Sequence, residues 1–167
     1  MGVTLETERL VLRPFRNADH PAYAAMCADP EVMRYLGTGV TQNPMEAWRA
    51  MASILGHWQL LGYGMFAAEV KATGELAGRV GFLDPPGWPG FELGWVLGRE
   101  HWGKGYAIES ARACLDYAFG TLGRERVISL IRPANERSIR VAERLGERLA
   151  GEVDLLGGKA LVYEKLR

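Results

Sequence analysis

The sequence predicts an α/β protein, and two observations carry that class. Apolar residues change period along the chain, from helical spacing at Trp48, Met51, Ala52, Leu55 and Trp58 to β-favouring runs over 64–70 and 76–83. Farther on, strand, helix and strand follow one another over 91–132, the order of a right-handed crossover whose two strands run parallel. At 167 residues the chain suits one domain with one core, residues 1–167, and it contains no repeat, low-complexity tract or linker that would divide it.

Arg9 to Phe15 begins apolar and is broken by Pro14, which reads as an edge strand. Two short helices follow. Asn17 is placed to cap the first, and Asp29 the second, with Pro30 at the first helical position where its missing N–H costs nothing. Asn43-Pro44-Met45-Glu46 repeats that arrangement with a carboxylate three residues after the cap, and opens a long amphipathic helix to about Leu61. Its Trp48 and Trp58 read as core rather than as pocket. The two β-runs that follow are joined by Lys-Ala-Thr-Gly-Glu, whose Gly74 suits the positive φ of a hairpin turn. Residues 85–90, Pro-Pro-Gly-Trp-Pro-Gly, exclude regular structure.

Phe91 to Leu97 reads as a buried strand, and a glycine-rich turn then leads into a helix with Ala107, Ala111, Leu115, Ala118 and Leu122 on one face. Arg126 to Arg132 is again a strand. Asn135 caps a further helix that buries Ile139, Ala142 and Leu145 and ends at Gly146, and Leu161 to Leu166 reads as a last strand.

Composition narrows the function. Twenty Lys and Arg balance twenty Asp and Glu, so no positive field argues for a nucleic-acid partner. No run approaches the length of a membrane span, and the charged N-terminal stretch lacks both a signal core and a myristoylation motif, so a cytoplasmic protein with no membrane partner is expected. Cys27 and Cys114 sit among apolar residues in helical stretches and read as free, buried thiols. His20, His57 and His101 lack metal-ligand spacing and read as surface or helix residues, so no metal is expected.

The chemistry concentrates in Glu92-Leu-Gly-Trp-Val-Leu-Gly-Arg-Glu-His-Trp-Gly-Lys-Gly-Tyr-Ala107, a buried strand running through close-set glycines into a helix N-terminus. Such a turn aims free backbone N–H groups and the positive end of a helix dipole at one place, which makes an anion site. Gly103 and Gly105 let the main chain approach phosphate oxygens, and Lys104 adds charge. A dinucleotide fingerprint fails at Ile108, where its third glycine belongs, and Arg132-Pro133 replaces the acidic ribose partner. A nucleotide-triphosphate loop matches from Gly98 through Lys104, but Gly105 brings no hydroxyl for magnesium.

With Pro133, Asn135-x-x-Ser138 and Leu145-Gly146 after the second strand, the pattern resembles that of the GNAT N-acetyltransferases, in particular their RimJ/RimL-type branch. The similarity runs from Glu8-Arg9-Leu-Val-Leu-Arg to Val162-Tyr163-Glu164. The resemblance implies a central mixed, mostly antiparallel sheet with a splayed parallel strand pair, flanking helices, and acetyl-CoA as co-substrate. It implies that the backbone of Trp102, Gly103, Lys104, Gly105, Tyr106 and Ala107 holds the pyrophosphate. The main chain of Trp95, Val96 and Leu97 would meet the pantetheine arm, and Asn135 and Ser138 would contact the cofactor. It further implies transfer of acetyl to a primary amine, a protein N-terminus or a small molecule, by direct attack in a ternary complex, in a family that often forms homodimers. Glu147 departs from the pattern, standing where an aromatic residue usually follows Leu-Gly.

For that reaction Glu92 is the candidate general base and Ser138 the candidate donor to the departing thiolate. The N–H of Val96 is the candidate donor to the thioester oxygen. An α-amino group is roughly a tenth deprotonated at pH 7 and a lysine far less, so the need for a base depends on the acceptor. Trp88, just before Glu92, is a candidate lining residue, and the acceptor pocket is expected from 30–45, 85–90 and the loop 154–159. A non-catalytic acyl-CoA sensor would use the same turn, and a phosphate-loop nucleotide-binding protein is the remaining alternative.

Overall fold

The computed structural model describes residues 2–167; Met1, the first residue of the charged N-terminal stretch, lies outside them. Eight strands form one sheet in the order β1-β2-β3-β4-β5-β6-β8-β7. They are β1 (Leu5–Glu6), β2 (Leu10–Arg13), β3 (Met65–Val70), β4 (Leu76–Leu83), β5 (Glu92–Leu97), β6 (Arg126–Ile131), β7 (Arg148–Leu155) and β8 (Gly158–Leu166). All neighbours are antiparallel except β5 and β6, which are parallel and paired only at Glu92 and Ile128. Beyond that pair the two strands part, leaving a gap in the middle of the sheet.

Helices cover both faces. On one lie α1 (His20–Ala28), α2 (Pro30–Met33) and α3 (Pro44–Leu61), where Tyr23, Met33, Ala47 and Met51 are buried with Ala67 and Val96. On the other α4 (Tyr106–Asp116) buries Ala111, Cys114 and Leu115 against Phe66, Phe82, Leu93 and Leu97, and a π-helical turn, Tyr117–Thr121, extends it. α5 (Glu136–Arg144) closes the far side with Ala142 buried against Ile131 and Tyr163. Both cysteines are free and buried.

The local signals hold where their mechanism is local. Asp29 accepts from the Glu31 N–H at 2.9 Å, and Asn43 and Glu46 exchange bonds of 3.0 and 2.8 Å across the start of α3. Four expectations change. The strand around Leu10 is not the sheet edge, because Leu5–Glu6 folds back on it. Asn17 caps nothing: it opens a 3-10 turn, and the N–H of Arg16 is taken by Asp19, whose carboxylate Arg13 holds with two bonds of 2.8 Å. That buried ion pair fixes the entry to α1 from the sheet side. Trp48 is 50% exposed, whereas Trp58 turns inward, stacks edge-on against Phe66 and donates to the Met65 carbonyl. Residues 148–155, not read as a strand, form β7, and 154–159 is the hairpin turn joining it to β8 rather than a free loop.

Candidate active site

The gap is lined on one side by main chain whose bonding can be assigned residue by residue. Along an antiparallel strand, N–H and C=O of alternate residues point to the same neighbour. The Gly98 N–H bonds the Ala77 carbonyl in line with β4, while the Leu97 carbonyl accepts from Trp102 Nε1 at 2.9 Å and the Leu93 carbonyl from Ser129 Oγ at 2.8 Å. Even-numbered residues of β5 therefore bond β4, and odd-numbered ones face the gap. The N–H of Val96 is consumed in the ladder opposite Arg79. The amides that face the opening belong to Trp95 and Leu97, so the Val96 N–H is not free for the donor role expected of it.

The gap continues into a cavity of about 850 Å³. Trp95, Val96 and Leu97 line it from β5, and Gly103, Gly105, Tyr106 and Ala107 from the turn and α4. Gly103 and Gly105 have φ of +74° and +82°, the left-handed region that favours glycine, and Gly105 is the cap of α4 with no side-chain bond to its first amides. Those amides remain for a ligand. Trp102 lines the cavity with the Arg137 guanidinium 4.4 Å above its ring. Lys104 is exposed and does not line the cavity; its carbonyl accepts from Arg9. From α5 come Asn135, which accepts from the Ser138 N–H at 3.3 Å, and Ser138 itself.

Glu92 stands apart from this group. It lies at the foot of β5, three residues before Trp95, and is absent from the cavity walls that include Ser138. Its Oε2 accepts from Trp88 Nε1 at 2.7 Å, which ties the 85–90 loop to it. Burial pushes its pKa up to about 7 against the Trp88 bond, the Arg79 charge and a bond from the Leu130 N–H. Glu92, Gly94 and Val96 share one face of β5. A Cβ at Gly94 would sit 3.1 Å from Met65 Cε and 3.9 Å from Glu92 Oε1. The Met65 methyl therefore packs against the bare Gly94 backbone beside the carboxylate.

The expected acceptor segments are divided. Arg132 donates to the Gly37 carbonyl at 2.9 Å and the Lys159 carbonyl at 3.0 Å, joining the 30–45 segment to the 154–159 turn around a second cavity of about 450 Å³. The 85–90 loop lies instead beside Glu92. His101 is not a surface residue: it is 5% exposed, lines the larger cavity, and its Nδ1 has no partner among the described residues. His57 links the Tyr63 carbonyl and the Asp84 N–H. Sequence reasoning passed over Ser129, a lone serine in an apolar strand, which bridges the seam. It also passed over Arg79, which pairs from β4 with Val96 and whose charge acts on Glu92 from farther along the same strands.

The fold is α/β, a mixed sheet with a splayed parallel pair opening onto an uncapped helix N-terminus, and residues 9–148 match the family model described as "Acetyltransferase (GNAT) domain". The chain belongs to that family. It is 34% identical to the "uncharacterized N-acetyltransferase p20" of Bacillus licheniformis, over 89% of this chain and 84% of that one. A solved acetyltransferase from Agrobacterium tumefaciens superposes with a TM-score of 0.89 at 36% identity, covering 100% of this chain and 96% of the other. The RimL ribosomal L7/L12 alpha-N-protein acetyltransferase, solved with coenzyme A, shares the fold at a TM-score of 0.82 and 19% identity, each chain covered to 98%. Among the described residues no helix is long and apolar enough to cross a membrane.

Proposed function

We propose that the chain, acting as one domain in the cytoplasm, transfers the acetyl group of acetyl-CoA to a primary amine in the manner of the RimJ/RimL-type branch. The observation that carries this reading is the opening between β5 and β6, which leads from unpaired amides of Trp95 and Leu97 to the free amides at the start of α4. An extended pantetheine arm matches the first set, and a diphosphate the second.

The residues divide the chemistry among them. Gly103 to Ala107 hold the pyrophosphate with main-chain N–H groups, and Asn135 and Ser138 border the carrier from α5. A gap-facing N–H of Trp95 or Leu97 polarises the thioester carbonyl. Glu92, about half ionised near pH 7 and held by Trp88, takes a proton from the attacking amine in its ionised form. The amine nitrogen bonds the carbonyl carbon, the C–S bond breaks, and the thiolate leaves beside the Ser138 hydroxyl. The acceptor is a protein N-terminus or a small-molecule amine, entering from the side of Trp88 and Glu92.

One observation favours a binding-only reading, the absence of Glu92 from the cavity walls. Incubation with acetyl-CoA and a panel of amines and N-terminal peptides separates the two. Release of coenzyme A thiol that depends on an amine supports transfer; tight acetyl-CoA binding without thiol release on any amine supports a sensor.

A further inference from the structure

The seam of the sheet holds a carboxyl group that the transfer reaction does not use. Glu147 follows the Leu145-Gly146 end of α5 and is 3% exposed. Its Oε1 lies 3.1 Å from Ser129 Oγ, and its Oε2 has no hydrogen-bond partner among the described residues. The same Ser129 Oγ lies 2.8 Å from the Leu93 carbonyl. A hydroxyl has one hydrogen and a carbonyl can only accept. The shorter contact takes that hydrogen, so the Ser129 lone pair faces Glu147, and Glu147 must supply the hydrogen of the second contact. A neutral acid does so, and leaves on Oε2 an uncharged oxygen rather than a buried unpaired charge.

The place of this link gives it consequence. In a continued parallel ladder the Leu130 N–H would bond the Leu93 carbonyl, one step past the Glu92 and Ile128 pair. Here Ser129 Oγ takes the Leu93 carbonyl in its stead. The hydroxyl is thus the last tie across the seam before Trp95 enters the cavity wall.

We propose that Glu147 is a positioning residue for the acyl carrier: as a neutral acid donating to Ser129, it keeps Ser129 on the Leu93 carbonyl and so fixes where the opening between β5 and β6 begins. The inference rests on the acetyl-CoA reading above. When Glu147 loses its proton, its carboxylate claims the Ser129 hydrogen and the Leu93 carbonyl is released. The groups that face it set that balance. Burial favours the neutral acid; Ser129 from β6 and the Lys165 ammonium from β8 favour the anion, and the Glu92 charge on β5 opposes it. From α5 the Ala142 carbonyl accepts its main-chain N–H. Together these bring its pKa up to about 7, so the tie is made and broken in the neutral range.

Calorimetric titration with acetyl-CoA between pH 6 and 8.5 tests this on wild type, Glu147→Gln and Ser129→Ala, with thermal unfolding of each. Wild type is expected to bind about tenfold more weakly at the upper end, the equivalent of one hydrogen bond. Glu147→Gln, whose amide donates to Ser129 but cannot ionise, should bind at pH 8.5 as wild type does at pH 6. Ser129→Ala should be weak throughout. Parallel pH profiles for wild type and Glu147→Gln overturn the proposal, as does a variant that only loses melting temperature. Wild type that binds no acetyl-CoA at any pH overturns the cofactor reading, and this one with it.

Discussion

Glu92 owes its character to neighbours from three directions: Trp88 from the preceding loop, Arg79 from β4 and the Leu130 amide from β6. A base matched to neutral pH contributes about 100-fold or more to proton transfer. Glu92→Gln is therefore expected to lower kcat by at least about 100-fold while leaving the acetyl-CoA Kd within about twofold, as steady-state kinetics and calorimetry would record. The raised pKa also has a stability cost with a definite sign. Below the ordinary carboxylate range both folded and unfolded chains are protonated. As pH rises from there through about 7 the unfolded chain ionises first, so the folded state loses stability over that window. Relative to wild type, Glu92→Gln should gain about 2 kcal/mol at pH 8 and nearly nothing at pH 4 in urea unfolding. Glu92 was legible as a candidate from its place before the motif, whereas the Trp88 and Arg79 influences on it were not. Glu147 was legible only as a departure from an aromatic position, because its meaning depends on Ser129, distant in sequence and adjacent in the seam.

Among the elements, those with local causes were readable and those with distant causes were not. Asn43 and Asn135 mark helix starts because the bond each makes is to an amide three residues on. Asn135→Ala should cost about 1 kcal/mol, lowering Tm by about 2–4 °C. If Asn135 also touches the carrier, that change weakens acetyl-CoA binding, which calorimetry on the folded variant reads separately. Asn17 failed as a cap because Arg13, held between Asp19 and Glu69, sets the chain direction there from β2. β7 escaped notice because it pairs on one side only and is almost wholly exposed, so it has no buried face to impose an alternating pattern. Trp48 and Trp58 share helical spacing, yet only the sheet beneath α3 decides which of them turns inward.

The whole molecule is two antiparallel halves, β1 to β5 and β6 to β8, joined within the sheet by one parallel pair. The parallel crossover could be read from strand, helix and strand in succession, since handedness leaves no other arrangement. The extent of the splay could not, because it is set by side chains that replace ladder bonds: Ser129 on Leu93 and Trp102 on Leu97. Hydrogen exchange should therefore alternate along β5. The amides of Gly94 and Val96, bonded to β4, are expected to exchange at least about 100-fold more slowly than those of Trp95 and Leu97, and acetyl-CoA should slow the latter pair selectively. Uniform protection along the strand would contradict the alternation.

That single rung has a mechanical meaning as well. Tension applied across the strands would find its fault line there, where one residue pair and one hydroxyl carry what elsewhere is shared along a full ladder. The sheet would tear first along the mouth of its own cleft, so the line most useful for admitting a guest is also the line of least tensile strength.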